Sequence, residues 1–160
     1  MNDGILFGKY GSVVSAGSFK LDSRRSNSSW SLEIWLEPKR VHASGTILAF
    51  YQPERQFAPF ALRQSLGDLE LLRQKKSGQS GKTYVDDIFS RQKPVLVAVT
   101  SGPSGTTVFA DGEPVRKFDD LKVSSQDLTG RLIIGNSPVT TDEWSGQLKG
   151  LTIYDRELTA

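Results

Sequence analysis

Ser29 to Pro38 reads SWSLEIWLEP. Its alternation decides the fold: Trp30, Leu32, Ile34 and Leu36 fall on one side of an extended chain, with Ser31, Glu33, Trp35 and Glu37 on the other. The first set predicts a core face and the second a solvent face. A helical winding would scatter the same residues around the whole circumference, so the stretch reads as a strand.

The neighbouring segments repeat this pattern. Gly45–Tyr51 (GTILAFY), Ala58–Gln64 (APFALRQ) and Asp68–Gln74 (DLELLRQ) follow, the last two joined by Leu66-Gly67, a tight turn with glycine expected at positive φ. Pro94–Thr100 (PVLVAVT) is a valine-rich apolar run too short for a helix and suited to a central strand. TTVFA and EPVRK flank Asp111-Gly112, the pair preferred where both turn residues need positive φ. Arg131–Gly135 (RLIIG) and Gly146–Tyr154 (GQLKGLTIY) complete the set, with Gly150 marking a bulge.

Helical periodicity is confined to single turns at Asp127–Gly130 and Asp155–Thr159. The polar stretches Arg24–Ser29 and Lys75–Lys82 read as loops. Short strands separated by Gly, Pro, Ser, Asn and Asp predict an all-β, two-sheet antiparallel sandwich. One domain over residues 1–160 is enough, since a chain of this length buries roughly 70% of its unfolded surface.

Composition narrows the function. Hydrophobic residues at 37% and charged residues at 24% exclude the disordered and membrane classes. A net charge of +2 gives no reason to expect nucleic acid or an anionic membrane as partner. Without cysteine there is no disulfide framework, thiolate nucleophile or Cys-based zinc site, and the compartment stays open. No apolar run approaches the ~20 residues of a spanning helix, and the start, MNDGILFGKYGSVV, lacks the basic-then-apolar order of a secretory leader. A strand-like segment this early suits a domain taken from a longer protein.

Together the segments resemble the concanavalin A-like lectin/glucanase superfamily, and most closely its bacterial laminin G-like domains. WSLEIWLEP resembles the family's aromatic-x-x-Glu-x-Trp-x-x-Pro strand, and GTILAFY the strand after it. VLVAVTSGPSGTTVFADGEPV resembles its valine-strand and Asp-Gly hairpin, and WSGQLKGLTIYDRELT its closing signature. The resemblance implies a two-sheet jelly roll with a concave and a convex face. Two departures stand out: Gln92-Lys93-Pro94 replaces a common Trp-His-His, and Lys149-Gly150 replaces an acidic pair, which weakens any inherited calcium or ligand site.

Few residues suggest chemistry. Glu33 and Glu37 share a face at i and i+4, similar to the carboxylate strand of laminarinase-like glycosidases, but Trp35 replaces the central Asp. Their Cα atoms lie roughly 13 Å apart along a strand, whereas a retaining pair needs carboxyls about 5–5.5 Å apart. The two read as solvated carboxylates. His42, the only histidine, reads as a surface-loop residue and leaves any catalytic relay or His-rich metal site dependent on it alone. Gly81-Lys82-Thr83 ends like a nucleotide-binding loop, yet Lys76 stands where the first glycine is required. The same stretch, with Arg73, Lys75, Lys76 and Lys82, reads as an exposed hairpin end that could touch an acidic polymer. Asn27-Ser28-Ser29 fits a glycosylation pattern that carries no weight.

Asp86, Asp87, Asn136 and Asp142 are loop oxygen donors of the type calcium takes, but no spacing specifies a calcium site. The family binds ligands at loop rims or on the concave face, which makes Asn136 and Asp142 candidate ligand residues. Trp35 is the candidate stacking platform, whereas Trp30 and Trp144 fall on packing positions. The sequence thus predicts a non-enzymatic binding or accessory module needing no cofactor, for carbohydrate first, in a bacterial surface, secreted or membrane-tethered protein. A protein-interaction or spacer domain is the alternative, and a glycoside hydrolase the third.

Overall fold

The computed structural model describes residues 4–22 and 28–159. Twelve strands follow one another: β1 (Ile5–Phe7), β2 (Val13–Val14), β3 (Trp30–Pro38), β4 (Ser44–Gln52), β5 (Phe57–Ser65), β6 (Asp68–Gln74), β7 (Ser80–Val85), β8 (Val95–Gly102), β9 (Gly105–Ala110), β10 (Glu113–Phe118), β11 (Arg131–Ile134) and β12 (Gly146–Tyr154). One six-stranded sheet has the order β1-β12-β3-β8-β9-β10, the other β2-β11-β4-β5-β6-β7. Neighbouring strands pair antiparallel throughout, giving a two-sheet jelly-roll sandwich.

The alternation of β3 places Trp30, Leu32, Ile34 and Leu36 inside, at 0–1% exposure, against Phe60, Leu62 and Phe50 of the facing sheet. Burying each such aliphatic side chain contributes about 1.5–3 kcal/mol. Trp30 meets Phe60 edge-on, ring centroids 5.4 Å apart, and its indole N–H donates to the Val123 carbonyl at 2.8 Å. Ser31 departs from the pattern. It lies in the outward phase yet is fully buried, because its hydroxyl donates to Arg156 O and accepts the Leu158 N–H as the C-terminal segment folds over it.

At the β9–β10 hairpin both Asp111 and Gly112 have positive φ, 51° and 87°, as the sequence predicts. The pairing of β12 with β3 slips between Leu148 and Gly150, placing the bulge where Gly150 marks it. Three expectations are corrected. In the β5–β6 turn it is Leu66 (φ 57°) that takes the left-handed conformation, with Gly67 outside it. Lys75–Lys82 is only partly loop, because Ser80–Val85 pairs with β6 as an edge strand. Its residues are mostly exposed and polar, so no apolar alternation announces it. The single helical turns fall at Pro53–Arg55 and Ser125–Asp127, the second capped reciprocally by Ser124 and Asp127. Asn27 lies outside the described residues.

Candidate functional site

The outer face of the β2-β11-β4-β5-β6-β7 sheet carries the most organised polar arrangement among the described residues. Phe60 and Leu62 of β5 point into the core, so Ala61 and Arg63 point outward. Register then aligns two rows across β4 to β7: Thr46, Arg63, Glu70 and Tyr84 in one, and Ala49, Ala61, Leu72 and Lys82 in the other. The alanine side chains are short, and the row they occupy is the floor of a groove of about 450 Å³. Residues 137–142 form its wall.

Hydrogen bonds pin that wall at both ends. Asn136 Oδ1 accepts the backbone N–H groups of Ser137 and Asp142, at 2.8 and 3.0 Å, closing the loop on itself. The Asp142 carboxylate accepts from Arg63 through Nε and Nη2, at 2.7 and 3.1 Å, and from the Thr46 hydroxyl at 2.7 Å. Gly45 lets the chain behind the loop come close: a Cβ there would lie 2.7 Å from the Glu143 carbonyl carbon and would overlap its oxygen.

Arg63 also donates to Glu70 at 3.0 Å, and Glu70, 1% exposed, meets the Tyr84 hydroxyl at 3.3 Å and Lys82 Nζ at 3.4 Å. Burial alone pushes the Asp142 carboxyl upward, but the bonds from Arg63 and Thr46 outweigh it and hold it below the usual carboxylate range. The Asp142 bond in turn raises Arg63 further above its ordinary value, against the opposing effect of burial, so the pair stays ionised.

A laminin G-type family model, described as the concanavalin A-like lectin/glucanases superfamily, matches residues 8–160. The chain belongs to this superfamily. No curated protein matched the chain in a sequence search. Solved structures of similar fold include the Ruminococcus gnavus IT-sialidase CBM40, at 14% identity and TM-score 0.69, over 98% of this chain and 92% of that one. The receptor-binding domain of botulinum neurotoxin D aligns at 17% identity and TM-score 0.62, over 96% of this chain but 40% of that one. Sheep galectin-11 aligns at 13% identity and TM-score 0.60, over 88% of this chain and 96% of the galectin. At such identities the likeness is one of fold.

Within this concanavalin A-like sandwich, Asn136 and Asp142 come together at the groove wall, and Trp35 lies on the opposite sheet. Trp35 is 48% exposed, faces Leu96 across the β3–β8 pair, and has Lys149 Nζ 5.4 Å from its ring centroid. It stands between Glu33 and Glu37, each of which has its own partner. Glu33 accepts the Tyr154 hydroxyl at 2.8 Å, a bond that raises the phenol above its ordinary value, and Glu37 lies 3.9 Å from Lys149 Nζ.

His42 is exposed between β3 and β4. Asp87 caps the turn after β7, its N–H bonded to Asp68 and its carboxylate accepting Ser90 Oγ. Among the described residues no three His, Cys, Asp or Glu side chains cluster as a metal site. Arg63, Thr46 and Glu70, which organise the groove, were not picked out by sequence reading. The signal available was a charged residue in the outward phase of two otherwise apolar strands, APFALRQ and DLELLRQ.

Proposed function

We propose that this superfamily member is a non-catalytic carbohydrate-binding module whose ligand lies in the groove between the alanine floor and the 137–142 loop. The observation that carries the reading is the shape and chemistry of that groove: a flat floor of small side chains beside a polar wall held in place before any ligand arrives. Support comes from the company the fold keeps. The R. gnavus CBM40 has been solved bound to alpha2,3 sialyllactose, and the neurotoxin domains are receptor-binding. A surface, secreted or membrane-tethered bacterial protein suits such a module.

In this reading Asn136 and Asp142 serve as struts of the wall and not as metal ligands, because their oxygens are already engaged by N–H and O–H donors of the protein. EDTA is therefore expected to leave binding unchanged. The test is a glycan array followed by titration of the best hit against the wild type and Ala61→Phe, which fills the floor from a position facing away from the core. Loss of binding in a variant that melts normally supports the groove. A blank array favours a protein-interaction or spacer module, for which the exposed Trp35 and Leu96 of the opposite sheet would be the docking face.

A further inference from the structure

Beside the groove, at the edge of the sandwich, lies a larger cavity of about 760 Å³ between the end of β6, the Ser125–Asp127 turn and Lys20. The groove and this cavity both have Arg73 and Gln74 in their lining, so the two depressions adjoin at the end of β6. Five cationic side chains, Lys20, Arg55, Arg73, Lys75 and Lys76, line the cavity against two carboxylates, Glu54 and Asp127. The five cations and two carboxylates leave this lining an excess of three positive charges, in a chain whose net charge is +2.

The two arginines of β5 and β6 differ in what satisfies them. Arg63 makes three bonds of 2.7–3.1 Å to carboxylates. Among the described residues Arg73 reaches only Asp127, through Nη2 at 3.4 Å, while Asp127 also accepts the Ser124 N–H at 2.9 Å. Among the described residues Arg73 Nε has no acceptor, and the hydroxyl of Ser125, a residue 2% exposed in the same wall, has no partner either. Buried donors without acceptors are costly, and a guanidinium fork fits two oxygens of one anion side by side.

From this geometry we infer that the cavity is an anion subsite, which takes the carboxylate or sulfate of an acidic sugar whose neighbouring residues lie in the groove. Small rotations of Arg73 and Ser125 bring their free donors onto the anion, and Lys75 and Lys76 close over it from the exposed hairpin end. The inference rests on the glycan reading of the groove and adds its substrate class.

The test is titration of the whole chain with chitohexaose (neutral), a hyaluronan octasaccharide (carboxylate) and a chondroitin sulfate octasaccharide (carboxylate and sulfate), with polyglutamate as a non-sugar polyanion. At least one acidic sugar should bind about tenfold or more tighter than chitohexaose. That gain should shrink between about 50 and 200 mM salt. It should disappear in Arg73→Gln and in the double variant Lys75→Gln/Lys76→Gln, whose exposed positions leave folding intact. The two acidic sugars separate carboxylate from sulfate recognition.

Equal binding of neutral and acidic sugars, abolished by Ala61→Phe, overturns the subsite and leaves the groove standing. Binding to none of the sugars overturns both readings. Equal affinity for polyglutamate overturns the sugar assignment in favour of general polyanion attraction.

Discussion

Arg63 and Asp142, 79 residues apart in the chain, are joined by two parallel hydrogen bonds, Nε to Oδ2 at 2.7 Å and Nη2 to Oδ1 at 3.1 Å. The pair ties the groove wall to the sheet that forms its floor. Replacing Asp142 by Ala leaves Arg63 with Glu70 alone and frees the Thr46 hydroxyl, so the cost is a set of unmet donors as well as a lost ion pair. The expected loss is about 1–3 kcal/mol, discounted from that of a fully buried pair because both side chains retain some exposure. Urea unfolding of Asp142→Ala checks it, and a midpoint equal to wild type would show that the pair is ornamental.

The same bond sets an acid limit. The folded carboxyl of Asp142 is held below its ordinary value of 3.8, so its contribution to stability is complete above that pH and falls away as pH drops through the folded value. Wild type should therefore lose stability more steeply than Asp142→Asn on going below about pH 4. Urea midpoints at stepped pH read the difference. Parallel curves for the two proteins would mean that Asp142 titrates as it does in the unfolded chain.

The strands were legible wherever one face is apolar and the other wet. Trp30 to Leu36 announce a core face by alternation, and Asp111-Gly112 announces its hairpin by the φ values that few other residues tolerate. The edge strand Ser80–Val85 escapes because most of its residues are exposed and polar and only Val85, at its end, enters the core, leaving no period to detect. The groove was half legible. Asn136 and Asp142 are conspicuous as loop oxygen donors, but Arg63, the partner of Asp142, is defined only by the register of β4 on β5 and the return of the chain after β11. Trp35 is conspicuous too. Only the sheet order shows that it faces away from the other two.

Trp144 carries a polar obligation inside the core. Its indole N–H donates to Gln64 Oε1 at 2.9 Å, while the Gln64 amide nitrogen donates to the carbonyls of Arg40 and Leu66. Trp144→Phe removes the donor and leaves a buried amide oxygen unmet, besides thinning the contact with Phe7. The expected cost is about 1–3 kcal/mol. The double variant Trp144→Phe/Gln64→Leu should cost less than the sum of the two single changes, because it removes both halves of the bond. Strict additivity in a denaturation cycle would contradict the pairing.

Trp35 separates the two sheets as binding faces. The residue is half exposed on the outer side of the first sheet, and its visible partners are Leu96 and the Lys149 ammonium above its ring. An exposed cation–π contact contributes about 0.5–1 kcal/mol, so Trp35→Ala should lower stability by roughly that amount plus the packing on Leu96. Because the sandwich core stands between Trp35 and the groove, the substitution should leave glycan affinity within about twofold of wild type, under 0.5 kcal/mol. Titration of Trp35→Ala beside Ala61→Phe is decisive for location. If Trp35→Ala abolishes binding and Ala61→Phe does not, the ligand stacks on the β3 face and the alanine-floored groove is not the site.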